Sequence, residues 1–179
     1  MRINALTAHV RMDSRTFRSF ALFDTFIRQR RWKAPALFLL IFLAFSVIAF
    51  ASGKEQSGML GSLLLAVGFL LPMAYLLSFL LQVHDQCKRL GLKKPRPVYT
   101  INLTENEMRV INDIKPEDEL RLAYDALYGA YRVKGAYYLY AAPARAFILP
   151  DGQYTLSPAE MWAFLSERMP ESKLHGKRP

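Results

Sequence analysis

The chain has 179 residues, with 24 Lys and Arg against 15 Asp and Glu and a formal net charge of +9. Hydrophobic residues make up 52% and charged residues 22%, which excludes a disordered or low-complexity chain and predicts one or two packed domains. A single cysteine excludes an intrachain disulfide scaffold and any multi-cysteine metal site.

The segment Ile3 to Val10 alternates and predicts a short strand. RTFRSFALFDTFIRQRRW (15–32) follows, with Asp13 or Ser14 placed to cap a helix. On a helical projection Phe17, Phe20, Phe23 and Ile27 share one face, with Arg15, Arg18 and Gln29 opposite and Asp24 near the apolar side. Such a helix lies in a membrane interface, anchored by Trp32 and by Arg28, Arg30, Arg31 and Lys33. Alternatively, its aromatic face packs on the non-membrane part of the chain, and residues 1–33 leave both placements open.

Two uncharged apolar runs decide the class. Residues 34–52 (APALFLLIFLAFSVIAFAS) number 19 and residues 59–83 number 25. At about 1.5 Å per residue the shorter run is roughly as long as the hydrocarbon core is thick. The turn between them, 53–58, is short and polar. Two transmembrane helices forming an antiparallel hairpin are therefore expected. A buried helix pair in a soluble protein and a signal peptide cleaved after Ala49-Phe50-Ala51 are the alternatives. The excess positive charge flanks the spans on one side. Residues 1–33 carry net +6 and residues 84–97 net +4, the latter from Lys88, Arg89, Lys93, Lys94 and Arg96 against Asp85. The 53–58 turn is neutral, and residues 98–179 carry net −1. The positive-inside rule places both termini in the cytoplasm and makes this a multi-pass protein of the cell membrane. Its basic flanks, with Lys88, Arg89, Lys93 and Lys94 as further anchors, meet anionic headgroups of the bilayer. This accounts for the charge without nucleic acid as a partner.

Neither span holds an ionisable group of the kind transport pathways need; the polar side chains are Ser46, Ser62, Tyr75, Ser78 and Gln82. Pro72 predicts a kink. Gly58, Ser62 and Ala66 form a strip of small residues, expected to pack against the first span, with a homodimer contact as the alternative. Past the second span, His84 and Cys87 lie one helical turn apart and are expected to be structural, since two ligands do not make a zinc site.

After Pro95 and Pro97 the composition changes to that of a small α+β domain, residues 98–169. Strands are predicted at Val98–Leu103, Met108–Asn112, Glu119–Tyr124, Tyr128–Val133, Ala136–Ala141 and Ala144–Leu149. Turns are expected around Pro116, at Lys134-Gly135 and at Pro150-Asp151-Gly152. Ser157-Pro158-Ala159-Glu160 is a capping box with proline at the first helical position, opening a helix to Met169 that buries Met161, Trp162, Leu165 and Met169. Residues 170–179 are a polar tail expected to fray.

YTINLTENEMRV, LRLAYDALYGAYRVKGAYYLYAAPARAFILP and the closing amphipathic helix, set behind two close spans, resemble the YcxB-like family of bacterial membrane proteins. The resemblance covers most of the chain and implies a cytoplasmic antiparallel sheet closed by a helix, similar to a pleckstrin-homology domain. Tyr124-Asp125 fills the place of the family's aromatic-acidic pair. Asp151 stands where the family is often basic. The resemblance implies no enzymatic activity.

No P-loop, G-x-G-x-x-G, H-E-x-x-H or G-x-S-x-G string is present, and no cofactor or catalytic residue is expected. His9 and His175 lie near the two ends without triad companions. Asp113, Glu117, Asp118 and Glu119 form an acidic loop. Eight of the nine tyrosines follow residue 98, and Tyr128, Tyr131, Tyr137, Tyr138 and Tyr140 cluster. Cross-strand pairing explains most of them. Alternation is expected to turn one of Tyr137 and Tyr138 outward, so the cluster is a candidate surface for a protein partner. The expected function is non-catalytic binding or regulation on the cytoplasmic face. The alternatives are a structural role through homo-oligomerisation of the spans and an enzyme at the membrane surface.

Overall fold

The structure, a computed structural model, describes residues 5–113 and 117–176. Ile3, the turn at Pro116 and the last three residues of the polar tail lie outside the described residues. The chain divides into two compact units. One joins the strand β1 (Ala5–Met12) to the chain from Lys94 onward, and the other is Phe17–Lys93.

Asp13 opens the first helix, α1 (Ser14–Leu22): its Oδ1 accepts the Thr16 N–H at 2.8 Å. That bond satisfies an amide the first helical turn would leave orphaned, and it holds the Asp13 carboxyl below its ordinary pKa. The helix widens into a π-helical turn, Phe23–Arg28. There Asp24 accepts from Arg28 Nε at 2.6 Å and from Gln29 Nε2 at 2.5 Å. Arg30 then takes a left-handed conformation (φ 53°), which redirects the chain into α2 (Lys33–Ala51).

α2 and α3 (Ser57–Arg89) are each long and apolar enough to cross a membrane. Only 11% and 6% of their most apolar stretches are buried within the chain. A core helix of a soluble protein would be mostly buried, so these side chains are turned to the surroundings. The two helices meet along a seam of small residues. Ser46, fully buried, donates its hydroxyl to the Gly61 carbonyl at 2.8 Å, and Ala49 is buried beside it. A Cβ on Gly61 would lie 2.8 Å from the Phe50 ring, and one on Gly68 would lie 2.8 Å from the Phe42 Cβ.

The expected strip of Gly58, Ser62 and Ala66 is therefore not the seam. All three are exposed, and a Cβ on Gly58 would meet nothing within 4 Å. Residues 61 and 68 are seven apart and fall on one stripe of the helix, whereas 58, 62 and 66 form a different row.

α3 runs past the expected end at Val83, because nothing in HDQCKR breaks a helix. Gly91 breaks it, with φ 66°. The Leu92 N–H donates to the Cys87 carbonyl at 2.9 Å and the Gly91 N–H to that of Lys88 at 3.1 Å, a Schellman closure. Cys87 and Leu92, three and two positions either side of the cap, are both buried. At 33 residues α3 is about 50 Å long, well beyond a hydrocarbon core of roughly 30 Å, so its last turns project from any bilayer it crosses.

The other unit holds two four-stranded sheets. In the first, β1, β2 (Arg96–Thr104), β3 (Glu107–Asn112) and β4 (Glu119–Ala123) are antiparallel neighbours in that order. Leu6, Ala8, Val10 and Met12 of β1 and Tyr99, Ile101 and Leu103 of β2 are buried. β1 thus belongs to the same domain as the strands after the spans, so 98–169 is not the whole of it. Its pairing joins residues some ninety positions apart, which no local pattern reveals.

Tyr124 does not extend β4 as the alternation suggested. It opens a 3₁₀ turn, Tyr124–Ala126, that leads into the second sheet. That sheet has the order β7 (Arg145–Pro150), β6 (Ala136–Ala142), β5 (Gly129–Val133) and β8 (Leu174–His175). β8 runs parallel to β5, with Ala130 opposite Leu174 and Tyr131 opposite His175. Residues 174 and 175 of the polar tail, expected to fray, are therefore held in the sheet.

The Tyr99 hydroxyl ties the sheets together. It donates to the Ile148 carbonyl at 2.9 Å and accepts the Ile148 N–H at 2.6 Å.

α4 (Pro158–Ser166) begins where the capping box put it. Ser157 Oγ accepts the Glu160 N–H at 3.2 Å, and the Glu160 carboxylate accepts the Ser157 N–H at 2.8 Å. Met161, Phe164, Leu165 and Met169 are buried, whereas Trp162, expected inside, is half-buried. Replacing Ser157 with alanine is expected to cost about 1 kcal/mol, read as a lowered denaturation midpoint with unchanged slope.

Candidate functional site

The exposed basic side chains fall at the start of α2 and around the end of α3. Arg30, Arg31, Trp32 and Lys33 are exposed, as are Lys88, Arg89, Lys93 and Lys94. Arg28, expected among the anchors, is half-buried and paired with Asp24, so its charge is not offered outward. Among the described residues no carboxylate pairs with Arg30, Arg31 or Lys33.

The aromatic face of the α1 segment lies on α3. Phe26 meets Phe79 edge to face, ring centres 4.9 Å apart, and Arg18 Nη2 lies 3.3 Å from His84 Nδ1. Phe17 and Phe20 face Tyr75, Phe79 and Gln82 across a cavity of about 420 Å³. Leu22, Ile27 and Trp32 are left exposed. The segment thus packs on the second long helix and still presents an apolar edge, a combination neither sequence reading contained. His84 serves this packing, and Cys87 is buried in the helix closure.

A second opening adjoins this cavity. Arg30, Arg31 and Lys33 border a groove of about 660 Å³ whose floor includes Phe38, Leu71, Pro72 and Tyr75.

The tyrosine cluster is mostly internal. Tyr137, Tyr138 and Tyr140 are buried to within 2% of completely, while Tyr128 is half exposed and Tyr131 lies between. The expected outward turn of Tyr137 or Tyr138 does not occur, because aromatic partners cover side chains on both faces of β6. On one face the Tyr137 hydroxyl donates to the Pro158 carbonyl at 2.6 Å, where α4 begins, and its ring meets Tyr154. On the other, Tyr140 packs edge to face on Tyr131, which stacks on His175. The surface reading therefore fails for Tyr137, Tyr138 and Tyr140 and leaves Tyr128, with Tyr131 beside it.

Asp151 organises one end of this core. It receives two hydrogen bonds from the Arg132 guanidinium, at 2.8 and 2.9 Å, and one from the Tyr154 hydroxyl at 2.8 Å. The guanidinium lies 4.6 Å over the Tyr137 ring. The Asp151 carboxylate is engaged inside the domain, as a structural ion pair.

Burial raises the phenol pKa of Tyr99 and Tyr124 far above the ordinary range and that of Tyr137 to about 12; burial and the Asp151 hydrogen bond likewise push that of Tyr154 far above the ordinary range. The folded state favours the neutral phenol, so this stability is complete below the unfolded value of about 10 and is lost as pH rises from there. Denaturation midpoints are expected to be insensitive to these groups up to about pH 10 and to fall steeply between roughly pH 10 and 12.

A cleft of about 420 Å³ opens between the sheets, lined by Tyr99, Asp118, Glu119, Arg145 and Phe147 among others. Glu119 lies 2.9 Å from Arg121 and 3.0 Å from Arg109, and the Arg121 hydrogen bonds hold its carboxyl below the ordinary range. A carboxylate so held remains ionised and suits neither a general acid nor a base near neutral pH. Among the described residues no three His, Cys, Asp or Glu side chains come together in a metal-binding arrangement.

No family model, curated protein or solved structure matches the chain.

Proposed function

We propose that the chain is a two-span membrane protein whose remaining domain is a pleckstrin-homology-like binding or regulatory module on the cytoplasmic face. The observation that carries this reading is the pairing of β1 with β2. β1 precedes the first long helix and β2 follows the second. Strands hydrogen-bonded in one sheet must lie on the same side of a bilayer, so the chain between them crosses an even number of times. Two crossings fit α2 and α3. The charge excess at both flanks supports the cytoplasm as that side. Four antiparallel strands, three more, and a helix docked against them support the pleckstrin-homology-like reading and agree with the resemblance to the YcxB-like family. Tyr128 is the aromatic side chain best placed for a partner.

Carbonate extraction and a topology reporter test the proposal. The full chain should resist extraction at high pH, and reporters fused to either end should both be active only in the cytoplasm. Recovery of the chain in the soluble fraction would overturn the membrane reading, and a reporter active outside would overturn the orientation. The binding role is tested by affinity capture with the detergent-solubilised full chain, because a fragment beginning at Val98 lacks β1. Capture of the same protein or lipid headgroup by wild type but not by Tyr128→Ala supports it. Equal capture by both, or none, counts against it.

A second reading rests on the exposure of Gly58, Ser62 and Ala66. These small residues leave α3 free to approach another helix outside the hairpin, as a homodimer of spans would require. Cysteines placed at Ser62 should crosslink between copies in membranes if it holds; monomers alone would exclude it.

A further inference from the structure

We propose that the groove between the start of α2 and the middle of α3 is a binding site for a single anionic phospholipid. The inference rests on the membrane reading above. It goes beyond general attraction between basic flanks and headgroups by locating one site with two chemically distinct halves. The groove, of about 660 Å³, is within the size range of small-molecule sites, roughly 300–1,000 Å³.

Its rim is cationic: Arg30, Arg31 and Lys33 all border it, and none is neutralised by a carboxylate among the described residues. The left-handed turn at Arg30 brings the arginine pair to the first turn of α2 instead of letting α1 run on. Beyond the rim the lining is apolar. Phe38, Leu71 and Pro72 line it, together with the Tyr75 ring. Cations at the mouth and hydrocarbon behind match a phosphate-bearing headgroup joined to an acyl chain. A second copy of this chain is a poor occupant, since it would bring the same three cations against these. A soluble anion would leave the apolar half unfilled.

The test uses the full chain, delipidated in detergent, with dioleoylphosphatidylglycerol and dioleoylphosphatidylcholine as probes and native mass spectrometry as the readout. One phosphatidylglycerol should be retained per chain, in preference to phosphatidylcholine by at least about tenfold, since each cation near an anionic headgroup contributes roughly a factor of five. Arg30→Gln with Arg31→Gln and Lys33→Gln should abolish the preference. Lys88→Gln with Arg89→Gln and Lys93→Gln removes equal charge elsewhere and should keep it. Ala34→Phe, which fills the groove and leaves the three cations, should also lose the lipid. Glycerol 3-phosphate should not compete.

Equal loss in both charge variants would reduce the effect to diffuse attraction and overturn the site. So would retention in the first variant or in Ala34→Phe, or competition by glycerol 3-phosphate. Vesicle flotation of the same proteins separates the two levels. A chain that floats yet shows no selectivity refutes this site alone, whereas one that does not float refutes the membrane reading and the site with it.

Discussion

Gly68→Val should separate the two long helices. The first added atom alone would sit 2.8 Å from the Phe42 Cβ. That carbon is fixed to the α2 backbone, so no rotamer change removes the clash and the helix axes must part. Overpacking of this kind costs about 1–3 kcal/mol. Here it would also lengthen the contact between the Ser46 hydroxyl and the Gly61 carbonyl, a buried polar bond on the seam. The expected result is a lower melting temperature for the chain in detergent and loss of a disulfide engineered between the helices. Gly58→Val is the matched control, because nothing lies within 4 Å of the side chain it would introduce. A Gly68 variant as stable as the Gly58 variant would show that the seam lies elsewhere. Gly61→Ala should be milder, since its neighbour is the rim of the Phe50 ring, which can rotate away.

Tyr99→Phe should be the most damaging single-atom change in the sheet domain. The hydroxyl it deletes both donates to and accepts from the backbone of Ile148, and both sites are buried. Phenylalanine preserves the ring and its edge-to-face contact with Phe147 but leaves an N–H and a carbonyl unsatisfied. At about 1–3 kcal/mol for each buried group left without a partner, the loss is about 2–6 kcal/mol. Hydrogen exchange gives the most local measurement: the Ile148 amide should lose protection disproportionately. Unchanged exchange there would mean that the sheets are held together by packing alone.

Much of the architecture is legible in the sequence because its signals are local. The two uncharged runs, the alternation of Tyr99, Ile101 and Leu103, and the capping box at Ser157 each act over a few residues and reappear as α2, α3, β2 and α4. What escaped depends on distance. β1 is a recognisable strand, yet its partner lies beyond both long helices, so local pattern ties it only to the segment beside it. β8 is two residues long and pairs with the free edge of β5, with His175 stacked on Tyr131.

The helix seam is hidden from the sequence for a related reason. Two rows of small residues run along α3, and only the positions of Phe42 and Phe50 decide which one faces α2. The groove bordered by Arg30 needs a left-handed arginine that no residue pattern announces. The end of α3, by contrast, was within reach, since Gly91 is the first helix-stopping residue after the second run.

The placement of β1 has a consequence for biogenesis. His9 and Thr100 face each other across the sheet, yet a ribosome makes them ninety-one residues apart. In a chain inserted as proposed, β1 is made before two hydrophobic helices pass into the bilayer and its partner β2 after them. If only one helix inserts, the strand and its mate are stranded in different compartments and the sheet stays open. In a chain so inserted, closure of the sheet would therefore depend on both crossings being made.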